Sequence, residues 1–191
     1  MKMKVKFAKL LRALTVPPML VLLMVVFLYA KTEVFSDIWQ GGAVLLFLAV
    51  IPALAYLLQP MIPCFARKEN AGMRKLAMIL SAIGYPTGVV MGYAFEMGGQ
   101  VQLIFNTYLL SLIILIIFNL LKIRASGHAC SVSGPLLFLC VYGHYFVILP
   151  CLLISAAVVW SSLTLKRHTV KELLLGASVS MGSFLVMQFW F

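Results

Sequence analysis

Long, unbroken apolar runs constrain this chain more than any other feature. They cover about residues 16–30, 41–59, 76–95, 101–121, 135–160 and 173–191. Their apolar residues are contiguous rather than alternating, which is the pattern of a buried or lipid-facing helix and not of a barrel strand. Backbone polar groups in lipid must be satisfied within the structure, so helices or a closed barrel are the only choices, and the runs select helices. The expected fold is an all-α, polytopic transmembrane helical bundle of about six to seven spans.

Composition excludes the soluble alternatives. Of the 191 residues, 63% are hydrophobic and 10% charged, against about 25% charged in an ordinary soluble domain. A core of this size cannot hide so much apolar surface. The formal charge is +10, from 15 Lys and Arg against 5 Asp and Glu. The basic residues sit in short clusters between the apolar runs, as topology signals and anionic-lipid contacts do. No nucleic-acid-binding module is present. Cys64, Cys130, Cys140 and Cys151 form no C-x-x-C pair and read as thiols rather than a disulfide framework or a zinc site.

The clusters set the topology. Lys2, Lys4, Lys6, Lys9 and Arg12 precede the first run. Leu28-Tyr29-Ala30 is a poor cleavage site, so that run is read as a short span, opened by Pro17-Pro18. With the N-terminus in the cytoplasm, pairs of spans return the chain at Arg67–Lys75 and again at Lys122–Arg124. The next cluster, Lys166–Lys171, belongs on the same side only if the intervening 135–160 run is a hairpin. Its turn is expected at Tyr142–Tyr145, and its short arms are near the lower limit for spanning. This arrangement leaves Lys31 as the one basic residue on the opposite face and gives seven spans; without the hairpin there are six. Gly84, Gly88 and Gly92, spaced by four, read as a stripe for close helix packing. His144, in the hairpin turn, and Glu96, beside Gly98-Gly99, read as loop residues.

Three polar segments then meet at one membrane face. Arg67 and Arg74 are seven apart, which on one helix places both guanidiniums on one side, and Arg grips phosphate bidentately. Ala125-Ser126-Gly127-His128 precedes an apolar helix, where a hydroxyl and free backbone N–H groups suit an anion. Ser161-Ser162 is followed by His168 and Glu172, four apart, so the carboxylate reaches the imidazole, fixes its tautomer and frees the other nitrogen to attack. Two histidines, a paired carboxylate and a ring of cations fit phosphoryl transfer without a metal.

These segments resemble the three motifs of the type 2 phosphatidic acid phosphatases, a family of lipid phosphate phosphatases: K-x6-R-P, P-S-G-H and S-R-x5-H-x3-D. Arg67-x6-Arg74-Lys75 keeps the first spacing with Arg for Lys and Lys for Pro. Ala125-Ser126-Gly127-His128 changes only the Pro of the second. Ser161-Ser162-x5-His168-x3-Glu172 keeps the third but has Glu for Asp and Ser162 where the family has Arg. The resemblance runs from Arg67 to the C-terminus. It divides the chain into a basic cytoplasmic tail (residues 1–15), two N-terminal spans (16–60) and a phosphatase-like core (61–191).

The resemblance implies a lipid phosphate phosphatase with no cofactor or metal, acting through a phosphohistidine on a phosphomonoester or diphosphate whose tail stays in the bilayer. His168 is then the nucleophile, Glu172 its orienter and His128 the general acid. Arg67, Arg74, Ser126 and the Gly127 N–H bind the phosphoryl oxygens. Lys166, Arg167 and Arg124 are the nearby candidates for the charge missing at Ser162. Loss of that Arg also motivates the alternative, a catalytically silent lipid-phosphate binder on the same fold. The expected location is a bacterial inner membrane, with the N-terminus and active-site face cytoplasmic. A thiol enzyme using Cys130 with His128 fits poorly, since residues two apart on a helix point to different faces. A transporter would carry an ionisable group at mid-membrane, and the charges here lie at span ends.

Overall fold

The computed structural model describes residues 2–191, apart from the side chains of Lys2, Glu69 and Asn70. It is an all-helical bundle, as the run lengths predict. The helices are α1 (Lys2–Leu14), α2 (Pro17–Lys31), α3 (Ile38–Leu45), α4 (Ile51–Leu58), α5 (Pro63–Ala66), α6 (Glu69–Ala94), α7 (Gly99–Leu120), α8 (Gly127–Tyr142), α9 (Ile148–Thr164) and α10 (Val170–Gln188). Among the described residues, five segments are long and apolar enough to cross a membrane: Ile38–Met61, Ala71–Ala94, Gly99–Leu120, Tyr145–Thr164 and Val170–Gln188. Counting α1 with α2 as one span bent by 50° makes six. Helix α8 is apolar but shorter. The protein is therefore an integral membrane protein by the length and composition of its helices.

Breaks in the helices follow proline chemistry. Val16 is extended (φ −64°, ψ 142°), as a residue before proline prefers, and Pro17 and Pro18 occupy the first turn of α2, where a missing N–H costs nothing. Between α3 and α4 the helix widens into a π turn at Leu46–Val50, directly ahead of Pro52, which has no N–H to continue an i to i−4 ladder. The expected hairpin is present. Helices α8 and α9 are joined by a short link ending in a 3-10 turn at Tyr145–Val147, and His144 is exposed there, stacked on Phe146.

The glycine stripe of α6 packs as predicted. A Cβ on Gly84 would lie 2.7 Å from the Phe47 carbonyl of the π turn, and one on Gly88 would lie 2.6 Å from the Phe105 ring. Helix α10 packs on α8 and α7, α2 on α8, and α1 on α9. The basic tail is thus a structured helix. Phe7 meets Trp160 edge-on at 5.9 Å, while Lys4, Lys6 and Lys9 stay exposed.

Three helices end in the same way. Glu96, Lys122 and Lys166 have φ of 48°, 59° and 51°. In each case the next N–H reaches back to close a Schellman turn: Met97 to Gly92, Ile123 to Phe118, and Arg167 to the Ser162 carbonyl at 3.0 Å. The last of these carries the chain from α9 toward His168.

Candidate active site

The site lies where the N-termini of α8 and α10 meet the C-terminus of α9. His168 occupies the short link between α9 and α10 and is ordered from both sides. Behind it, Arg167 N–H donates to the Ser162 carbonyl. Ahead of it, Thr169 and Glu172 form a capping box, with Glu172 N–H donating to Thr169 Oγ1 at 3.3 Å and Thr169 N–H donating to Glu172 Oε2 at 3.1 Å. Glu172 Oε2 also lies 3.2 Å from His168 Nδ1. An ionised carboxylate only accepts, so Nδ1 carries the proton and Nε2 keeps its lone pair. One carboxylate therefore caps the helix and fixes the tautomer, as the spacing of four predicts.

Helix α8 is tied to this unit through its backbone. Ser126 N–H donates to the Glu172 carbonyl at 2.9 Å, and Gly176 lets α10 come so close that a Cβ there would run into the Ser126 carbonyl. Ser126 is fully buried, and its hydroxyl accepts from Ala129 N–H at 3.2 Å as the N-cap of α8. The hydroxyl expected to bind phosphate is engaged in this cap, and Ser126 joins the second motif to the third. Gly127 is exposed at the first position of α8, and a Cβ there would stand in open space. His128 follows it, half-buried, with Nε2 shut off from solvent and without a hydrogen-bond partner among the described residues. Arg12 and the His168 imidazole act on it.

Arg67 and Arg74 part company. The spacing of seven places both on one face of a continuous helix, but the chain breaks between α5 and α6, and Arg67 is the C-cap of the short α5. Arg67 is not among the charges acting on either histidine, whereas Arg74 acts on His168 and on Arg12. Proline at residue 63 starts a separate helical turn there, and a helix-face argument holds only within one uninterrupted helix. Arg124 acts on Glu172.

Arg12 is the residue that motif spacing does not single out. From α1 its Nη1 lies 3.5 Å from the hydroxyl of Ser162, which is fully buried. A guanidinium beside Ser162 thus comes from the N-terminal helix. Met3, Phe7 and Leu11, at spacings of four, are the signal in the sequence that the basic tail has an apolar face and packs as a helix.

Burial holds the His168 imidazole below its ordinary pKa of 6.5. Arg12 and Arg74 push in the same direction, and Glu172 opposes them. A neutral, Nδ1-protonated ring is the form that attacks as a nucleophile. Among the described residues no three His, Cys, Asp or Glu side chains gather as a metal site. Comparisons with family models, curated proteins and solved structures return no match to this chain.

Proposed function

We propose that the protein is an integral-membrane lipid phosphate phosphatase that works through a phosphohistidine without a metal. The observation that carries this reading is the His168 Nδ1 to Glu172 Oε2 contact of 3.2 Å, set beside His128 by the Ser126–Glu172 backbone bond. A histidine with one nitrogen fixed by a carboxylate and the other free, a second imidazole nearby and several guanidiniums around them suit phosphoryl transfer.

In the proposed reaction, His168 Nε2 forms a bond to phosphorus as the P–O bond to the lipid breaks. The departing oxygen takes its electron pair and a proton from His128, releasing the lipid alcohol, or a lipid monophosphate if the substrate is a diphosphate. Glu172 stabilises the positive charge on the phosphorylated ring. A bound phosphate dianion near Arg12 favours the protonated form of His128 that this step uses. In the second step His128, now neutral, takes a proton from water. The water oxygen bonds to phosphorus, the N–P bond breaks, and phosphate leaves with His168 restored.

The substrate class is a phosphate or diphosphate on an acyl or prenyl tail, such as phosphatidic acid, phosphatidylglycerol phosphate, a polyprenyl diphosphate or a lipid A phosphate. The charge distribution supports a cytoplasmic active-site face in a bacterial inner membrane. Ser162, where the family has Arg, favours the second reading, a silent lipid-phosphate binder. Purified protein in detergent, offered the first three lipids with EDTA present, separates the two. Release that persists in EDTA and disappears in His168→Ala supports the phosphatase. Binding without release, in folded protein, supports the silent binder and overturns the enzyme.

A further inference from the structure

We propose that Arg12, on the N-terminal helix α1, is the guanidinium that grips the lipid's phosphate at this site, so that α1 is part of the active site and not only a charge that orients the chain. This rests on the phosphate-site reading above and deepens it by assigning the anion post to a residue outside all three motifs.

Three observations converge on Arg12. First, it reaches Ser162 across 150 residues of sequence, and the contact is long at 3.5 Å. A guanidinium carries five N–H donors in a fixed fork, so one long hydrogen bond leaves most of it available to a planar pair of oxygens. Second, it acts on both His128 and His168, with Arg74 and Arg167 as like-charged neighbours. Among the described residues no carboxylate pairs with Arg12. Arg12 repels the protonated form of each imidazole, and a bound phosphate relieves that repulsion. Third, α1 is held in place by packing, with Phe7 on Trp160 at 5.9 Å.

The chemistry of the occupant follows from the same pair of helices. Met3, Phe7 and Leu11 of α1 and Ala156, Ala157 and Trp160 of α9 line an apolar groove of about 510 Å³. Leu11 adjoins Arg12, and Trp160 precedes Ser162 by two positions. A cationic post and an apolar groove on two shared helices fit a phosphate that carries a hydrocarbon tail, in preference to free phosphate.

The test uses the full chain in detergent, with Arg12→Ala, Arg12→Lys, the double variant Arg12→Ala/Ser162→Arg, and His168→Ala as the control on the function itself. Arg12→Ala is expected to lose about 100-fold in kcat/KM on phosphatidic acid, the scale for removing one transition-state donor. Arg12→Lys should retain part of the activity, and the double variant should recover at least about tenfold over Arg12→Ala, since it returns a guanidinium to the same spot. Arg12→Ala within about threefold of the parent, while His168→Ala is dead, overturns the assignment and leaves the phosphatase standing.

If the parent protein releases no phosphate, the function fails, and Arg12 is judged by binding. Thermal stabilisation by phosphatidic acid over diacylglycerol should then be present in the parent and lost in Arg12→Ala; equal stabilisation in both overturns the assignment. Stabilisation by inorganic phosphate equal to that by phosphatidic acid overturns the tail-bearing occupant. Should Arg12→Ala not fold, the lysine and double variants decide by the same readouts.

Discussion

The backbone N–H of Ser126 donates to the carbonyl of Glu172 at 2.9 Å. This single bond joins the start of α8, which carries His128, to the first turn of α10, which carries the partner of His168. Side-chain chemistry at the site therefore depends on a backbone contact between residues that touch no substrate in the proposed reaction.

Gly176 makes that contact sterically possible. A Cβ at this position would meet the Ser126 carbonyl and lie 3.2 Å from the Ala129 side chain, so Gly176→Ala must push α8 and α10 apart. The expected cost is about 1–3 kcal/mol of stability, the usual penalty for overpacking. Displacing one histidine by about 1 Å should also cost about 100-fold in rate. Melting in detergent and phosphate release measure the two effects; unchanged values for both would mean that the helices need not be this close.

Activity should have an acidic limb set by His168. Because burial holds the ring below 6.5 and Glu172 alone opposes this shift, the acidic limb of kcat/KM due to this ring should have its midpoint below pH 6.5. In Glu172→Gln the opposing charge is gone. The limb should then move to lower pH while the rate drops by about 100-fold or more through loss of tautomer control. Stability has a matching sign. The folded state favours neutral His168, so its contribution is present above the unfolded pKa and is lost as pH falls through the lower folded value. A limb that moves upward in Glu172→Gln would contradict the assigned balance of charges.

Arg74 and Arg67 should behave differently despite their matched spacing. Arg74 acts on His168 and Arg12, whereas Arg67 is the exposed C-cap of the separate, short α5. Arg74→Ala is expected to raise KM and lower kcat/KM by about tenfold or more, in the range for loss of a charged hydrogen bond. Arg67→Ala should stay within about twofold, as an exposed surface charge does. Equal losses in a steady-state comparison would place both at the phosphate.

Lys166 sits in a left-handed backbone conformation with φ 51°. Glycine adopts that conformation without strain, so Lys166→Gly should keep the Schellman turn and raise stability by up to about 1 kcal/mol. Activity should be retained, because Arg12 supplies a guanidinium beside Ser162. A stable variant with strongly reduced phosphate release would assign the lysine ammonium a direct role.

Much of this architecture is legible in the chain because lipid imposes strict rules. Continuous apolar runs of sufficient length must become helices, and Pro17-Pro18 marks where one of them begins. The spacing of His168 and Glu172 lies within one helical start, and the capping box realises it locally. The Gly84, Gly88 and Gly92 stripe is a property of a single helix, so its packing role follows from spacing alone. Arg67 and Arg74 show where such reasoning ends, since a spacing argument assumes an unbroken helix and α5 ends before α6 begins.

The helical class, the hairpin of α8 and α9 and the pairing of His168 with Glu172 are written in the chain, because they follow from hydrophobicity, from the placing of basic clusters and from contacts within a few residues. Packing between helices brings the Ser126 N–H to the Glu172 carbonyl, lets Gly176 permit the close approach, and sets Arg12 beside Ser162 from 150 residues away. Those outcomes depend on how α1, α8, α9 and α10 pack against one another, and the packing of separate helices is set by the whole surface each presents rather than by any local pattern.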